Sequence, residues 1–188
     1  MNPSPLLILC VVFSAWSSAN GAPTGAHAEV NFRECKRLSI HLVEMARDLY
    51  NKVESPKMTS VITDLPVTIR PNDTCDPQSL QSNKKTCQSR IILALKNYSR
   101  IFHKDGIFNK SACSKWRVNA EQIANVTGHL LKVLKESAVH APWTAEDWND
   151  DFLCRDSVER LYSFSIISAR VFSYLASPVT NGVNLKQC

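Results

Sequence analysis

Apolar residues return every three or four positions in four separate stretches of this chain, and strict polar/apolar alternation is nearly absent. That spacing lines side chains along one side of an α-helix, whereas a half-buried strand needs a period of two. Segment A, about residues 31–53, keeps the period through Cys35, Leu38, Leu42, Met45, Leu49 and Val53. Segment B, about 79–104, keeps it through Cys87, Ile91, Leu95, Tyr98 and Phe102. Segment C, about 114–138, does so through Trp116, Ile123, Val126, Leu130, Val133 and Leu134. Segment D runs over about 145–176; Thr144 with Asp147 three residues on resembles a capping box at its start, and Pro178 ends it. The one β-like piece, Val61 to Ile69, is interrupted by Pro66. Residues 54–77, rich in Pro, Thr, Asp and Asn, read as a long loop. The B–C connection is short, while A–B and C–D leave room for crossovers. The expected fold is all-α, a four-helix up-up-down-down bundle, with an ordinary up-down bundle as the alternative.

The first residues set the expected compartment. From Leu6 to Trp16 the chain is apolar apart from Ser14, and small residues follow through Ala22. A run of that length before a small-residue site reads as a secretory signal peptide over 1–21, too short to span a bilayer. The remaining 22–188 would form one domain with six of the seven cysteines and the full net charge of +5. An even cysteine count in a secreted chain implies disulfides. Four N-x-S/T sequons, at Asn72, Asn97, Asn109 and Asn125, agree with an extracellular address. Lys and Arg are scattered in short pairs such as Lys36-Arg37 and Lys84-Lys85, so the charge forms no phosphate-tracking stripe and nucleic acid is not expected as a partner. Nor is membrane insertion, since no other segment approaches a spanning length.

Segment D is unusually apolar. Between Val158 and Leu175 eleven of eighteen residues are apolar, and at 100° per residue they fall on two sides. Val158, Leu161, Tyr162, Ala169 and Phe172 share one; Phe164, Ile167, Val171, Tyr174 and Leu175 spread over the other. A helix apolar nearly all round is buried all round, so the second face calls for cover from another polypeptide. Arg170 is the only charge after Arg160 in this stretch. It is either a solvated residue or one that enters an acidic pocket on a partner, where Arg is a frequent hot spot.

Cys75 and Cys87 lie twelve apart around a Pro/Ser/Asn stretch, so a local bridge is expected. In an up-up-down-down bundle the start of A meets the end of D, and the starts of C and D meet at the other end. On that geometry Cys35 is expected with Cys188 and Cys113 with Cys154, with bridging of Cys188 to another chain as the alternative. Catalytic chemistry is not expected. The five His are isolated, no H-E-x-x-H or C-x-x-C metal spacing occurs, and there is neither G-x-S-x-G nor a glycine-rich phosphate loop. Asp147, Asp150, Asp151 and Asp156 suit the positive end of a helix better than paired catalytic carboxylates. No cofactor or metal is expected, and a helical carrier or hydrolase stays only as a remote alternative.

Cys75-Asp-Pro-Gln-Ser-Leu80 through Cys87, then Gln88-Ser-Arg90 and an apolar helix ending Asp105-Gly-Ile-Phe108, resembles the alpha subunits of the interleukin-12/interleukin-23 cytokines. Trp148 stands 22 residues before Arg170 in Ala169-Arg170-Val171-Phe172, a spacing similar to that of the same family. The C-D-P-Q motif and the 75–87 spacing fit the interleukin-23 branch, while the interleukin-12 branch shares an ending like Arg170 to Leu175. The resemblance implies a long-chain cytokine bundle that pairs with the beta subunit shared by the two branches and then activates a cell-surface receptor with JAK-STAT signalling. It implies that Arg170 enters an acidic pocket of the beta subunit, with Phe164, Ile167, Val171 and Tyr174 beside it. Trp148, with Trp143 as neighbour, would dock on the signalling receptor. Where the family has a cysteine linked to the beta subunit, this chain has Pro71. The pair would then be non-covalent or bridged through Cys188 or Cys35. An alpha subunit of the interleukin-12 branch, or a cytokine acting alone, is the alternative within class.

Overall fold

The computed structural model describes residues 30–53, 69, 71–138 and 150–177. The expected signal peptide, Trp143, Trp148, the capping box at Thr144 and Cys188 lie outside them. Among the described residues there are five α-helices and no strand: α1 Phe32–Lys52, α2 Pro77–Ser82, α3 Lys84–Ile101, α4 Arg117–Val133 and α5 Asp150–Ala176. Short 3-10 turns at Pro71–Asp73, Ile107–Asn109 and Ser111–Trp116 lead between them.

Each boundary has a local cause. Asn31 caps α1, its side-chain oxygen accepting from the Glu34 N–H at 3.1 Å. Asp76 caps α2 in the same way, with Pro77 at the first helical position, where a missing N–H costs nothing. Segment B is two helices, not the one expected. Asn83 divides it: its own N–H donates back to Ser79 O, closing α2, while its side chain accepts from the Lys85 N–H and opens α3. Segment C is shorter than its periodicity suggests. It ends where Lys135 takes a left-handed conformation (φ 64°) and Glu136 N–H donates to Leu131 O at 2.8 Å, a Schellman closure. Gly106 turns the chain back over the end of α3. A Cβ there would lie 2.2 Å from Ile101 O, so only glycine fits.

Helix α1 packs most extensively on α5 and also on α4, while α3 packs chiefly on α4. Leu42, Leu49, Ile91, Leu95, Ile123, Leu130 and Leu161 meet in the core. Tyr98 sets its ring, tilted, 5.0 Å from that of Phe164, and Phe102 stacks 4.8 Å from Phe108 at the turn after α3. Burial pushes the Tyr98 hydroxyl well above its ordinary pKa, so it stays protonated. Lys96 on α3 reaches Glu136 at 2.7 Å, past the end of α4. Arg155, in the second turn of α5, donates to the carbonyls of Tyr50 and Val53, so the end of α1 meets the start of α5.

Two disulfides are formed, Cys75–Cys87 and Cys113–Cys154, both as expected. The second joins the lead-in to α4 with the first turns of α5. The expected Cys35–Cys188 pairing falls on Cys188, outside the described residues. Cys35 is a free thiol with no exposed surface, on the inward face of α1 among the core side chains. Desolvation, helped by the neighbouring Glu34 charge, pushes its pKa up to about 11, so it persists as an uncharged core residue.

The inward face of α5 corrects the reading of segment D. Leu153, Cys154, Ser157, Val158, Leu161, Phe164, Ser165, Ser168, Val171 and Phe172 are all buried within this chain. They form one wide stripe with three serines in its middle. Apolar residues counted alone left that middle blank and divided the stripe into two faces. The chain's own bundle therefore covers Phe164 and Val171.

Candidate functional site

The disulfide loop and the last turns of α5 enclose an open groove of about 590 Å³. One wall is α5, where Ile167, Arg170, Val171 and Tyr174 recur at three- and four-residue spacing. The other wall is Ile69, Cys75, Asp76, Pro77 and Leu80. Cys75–Cys87 ties that wall to α3, and Arg90 on α3 holds Asp73 at 3.3 Å as an ion contact.

The five residues expected at an interface separate into four kinds. Phe164 is 2% exposed and packed against the Tyr98 ring, so it belongs to the core and not to the groove. Val171, at 1% exposed, forms the groove's floor. Ile167 and Tyr174 are half-buried on its flank. Arg170 is exposed, and it makes no ion pair or hydrogen bond among the described residues.

Asp76 supplies the opposite charge in the groove lining. The Ser79 hydroxyl donates to one of its oxygens at 2.6 Å and the Ser79 N–H to the other at 2.9 Å, which holds the carboxyl below the usual carboxylate range. Asp76 is thus committed to capping α2, while Arg170 has no ionic partner among the described residues. The Asp76 wall was not foreseen as part of the site. Its signal was present in the sequence, since a local Cys75–Cys87 bridge followed by Asp-Pro requires a short capped helix there.

The sequons are exposed at Asn72, Asn109 and Asn125 and half-buried at Asn97. Among the described residues no group of three His, Cys, Asp or Glu side chains is placed to hold a metal ion. No described helix is long and apolar enough to cross a membrane. The chain matches no known protein-family profile and no curated protein.

Proposed function

We propose that this chain is a secreted cytokine alpha subunit of the interleukin-23 type, which pairs with the beta subunit shared by interleukin-12 and interleukin-23 and signals through a cell-surface receptor. The observation that carries the reading is Arg170: an exposed guanidinium without a partner among the described residues, between half-buried Ile167 and Tyr174, at the edge of a groove with an apolar floor. An apolar patch around one Arg is the chemistry of an interface anchor. The C-D-P-Q sequence that opens the facing wall belongs to the motifs that resemble the family.

An up-up-down-down topology agrees with the helix pairing. Consecutive α4 and α5 start at the same end, where Cys113 meets Cys154, and α5 runs back along α1. Two disulfides are compatible with an extracellular protein. Trp148 and Trp143 are proposed as the receptor contact, and Pro71 leaves the heterodimer without the family's interchain cysteine.

Co-expression with the shared beta subunit tests the proposal. A one-to-one complex in the medium is expected, dissociable without reducing agent. Secretion of the chain as an active monomer, indifferent to the beta subunit, would refute it and favour a cytokine acting alone.

A further inference from the structure

Thr74 is a poor residue for the fold in two independent ways. Its backbone is left-handed, with φ 53°, a conformation that β-branched side chains avoid. Its hydroxyl oxygen is buried and has no hydrogen-bond partner among the described residues. Glycine would relieve the first defect, and any side chain without a hydroxyl the second. The sequon hydroxyl of Thr127 behaves differently, lying 2.9 and 3.1 Å from the backbone carbonyls of Ala124 and Ile123. Thr127 serves its helix; the Thr74 hydroxyl serves no hydrogen bond among the described residues.

Thr74 is the third position of Asn72-Asp73-Thr74, and Asn72 is exposed on the Pro71–Asp73 turn. We infer that Asn72 carries an N-linked glycan and that Thr74 is present for that modification rather than for folding, an inference that rests on the secretory route proposed above. The co-reactant is an oligosaccharide linked to a lipid diphosphate. The side-chain amide nitrogen of Asn72 bonds to the anomeric carbon, the bond from that carbon to the diphosphate oxygen breaks, and the lipid diphosphate leaves while a transferase base takes the amide proton. The Thr74 hydroxyl that the transferase reads is sealed in the finished fold, beside Cys75. Glycan transfer therefore precedes closure of the Cys75–Cys87 loop. Asn72 lies three residues from both Ile69 and Cys75, so the sugar stands near the groove that holds Arg170.

The test expresses the full chain in a secretory eukaryotic host and maps glycans in medium and cell fractions by enzymatic release in heavy-oxygen water. Asn72 should convert to labelled Asp in wild type and Thr74→Ser, and stay unlabelled in Thr74→Gly. Thr74→Gly should also melt about 2–6 °C above Asn72→Gln, since both lack the Asn72 sugar and only the first relieves the strained threonine. Asn72 bare beside occupied Asn109 or Asn125 overturns the inference alone. Every sequon bare overturns it together with the secretory reading. Thr74→Gly melting at or below Asn72→Gln assigns Thr74 to the fold and also overturns it.

Discussion

The Arg155 guanidinium lies 3.9 Å above the centre of the Tyr50 ring and donates to the Tyr50 carbonyl oxygen at 2.8 Å. The same nitrogen reaches Val53 O at 2.5 Å, so a single side chain of α5 closes the C-terminal end of α1. Tyr50 in turn stacks on Tyr162, with ring centres 5.5 Å apart. A cation at a helix C-terminus, bonded to carbonyls of its last turn and resting on an aromatic face, combines three favourable effects.

Removing that group should weaken the α1–α5 contact. Arg155→Ala is expected to lower unfolding stability by about 2–4 kcal/mol in urea titration. Arg155→Lys should recover about half, because a lysine keeps the charge but not the planar fork. An alanine variant as stable as wild type would show that water serves the α1 carbonyls equally well.

Phe164 and Arg170 should respond in opposite ways, although segment D presented both as interface residues. Phe164→Ala opens a cavity against Tyr98 and should cost about 3–5 kcal/mol of stability. Arg170→Ala should leave stability within about 0.5 kcal/mol of wild type, as exposed substitutions do. Its effect belongs to assembly: pairing with the beta subunit should weaken by about 2–5 kcal/mol, since a partner carboxylate would be left buried and unpaired. Thermal melts together with co-immunoprecipitation separate the two. Unchanged pairing of Arg170→Ala would remove this residue from the interface.

The helices were legible in the sequence because Leu38, Leu42 and Leu49, or Ile91 and Leu95, recur at a period that no strand shares. The break at Asn83 was not, because the apolar period starts only at Cys87 and a capping asparagine looks like any polar surface residue. The inward stripe of α5 was hidden by chemistry of a different kind. Ser157, Ser165 and Ser168 are polar by type yet buried, because small side chains fit a close helix approach; Ser165 satisfies its hydroxyl on Tyr162 O at 2.7 Å. The Cys75–Cys87 bridge was visible from local spacing alone. The fate of Cys35 depended on where its helix face points, and its position on the inward stripe of α1 argued for a core thiol as much as for a bridge.

The buried Cys35 thiol gives stability a measurable pH dependence. Its folded pKa of about 11 stands above the ordinary thiol value of 9.0. The folded state therefore holds the proton more tightly, and the contribution is complete below pH 9. Stability is lost as pH rises toward 11, by about 2 kcal/mol at that pH. Cys35→Ala removes this dependence, so the difference between the two proteins in denaturant titrations from pH 8 to 11 isolates it from Tyr98 and the lysines. Native Cys35 should also resist alkylation at pH 8 until denaturant is added. Parallel curves for the two proteins would show that the thiol is hydrated.

Gly106 sets the turn that brings Phe108 onto Phe102. A methyl group in its place meets the carbonyls of Ile101 and Arg100, at 2.2 and 2.6 Å, both backbone atoms at the end of α3 that cannot swing aside. Relief requires the turn to move outward, which separates the Phe102–Phe108 ring pair and loosens the Ile107–Asn109 turn. Gly106→Ala should therefore destabilise the protein by about 2–4 kcal/mol, well beyond the usual effect of a glycine-to-alanine change in a loop. The contrasting substitution is Gly128→Ala on α4, where nothing lies within 4 Å of the added carbon. There alanine should raise stability by about 0.5–1 kcal/mol through its better helix propensity. Equal effects at the two positions, measured by urea titration of both variants, would mean that the chain after α3 is not held against that helix end.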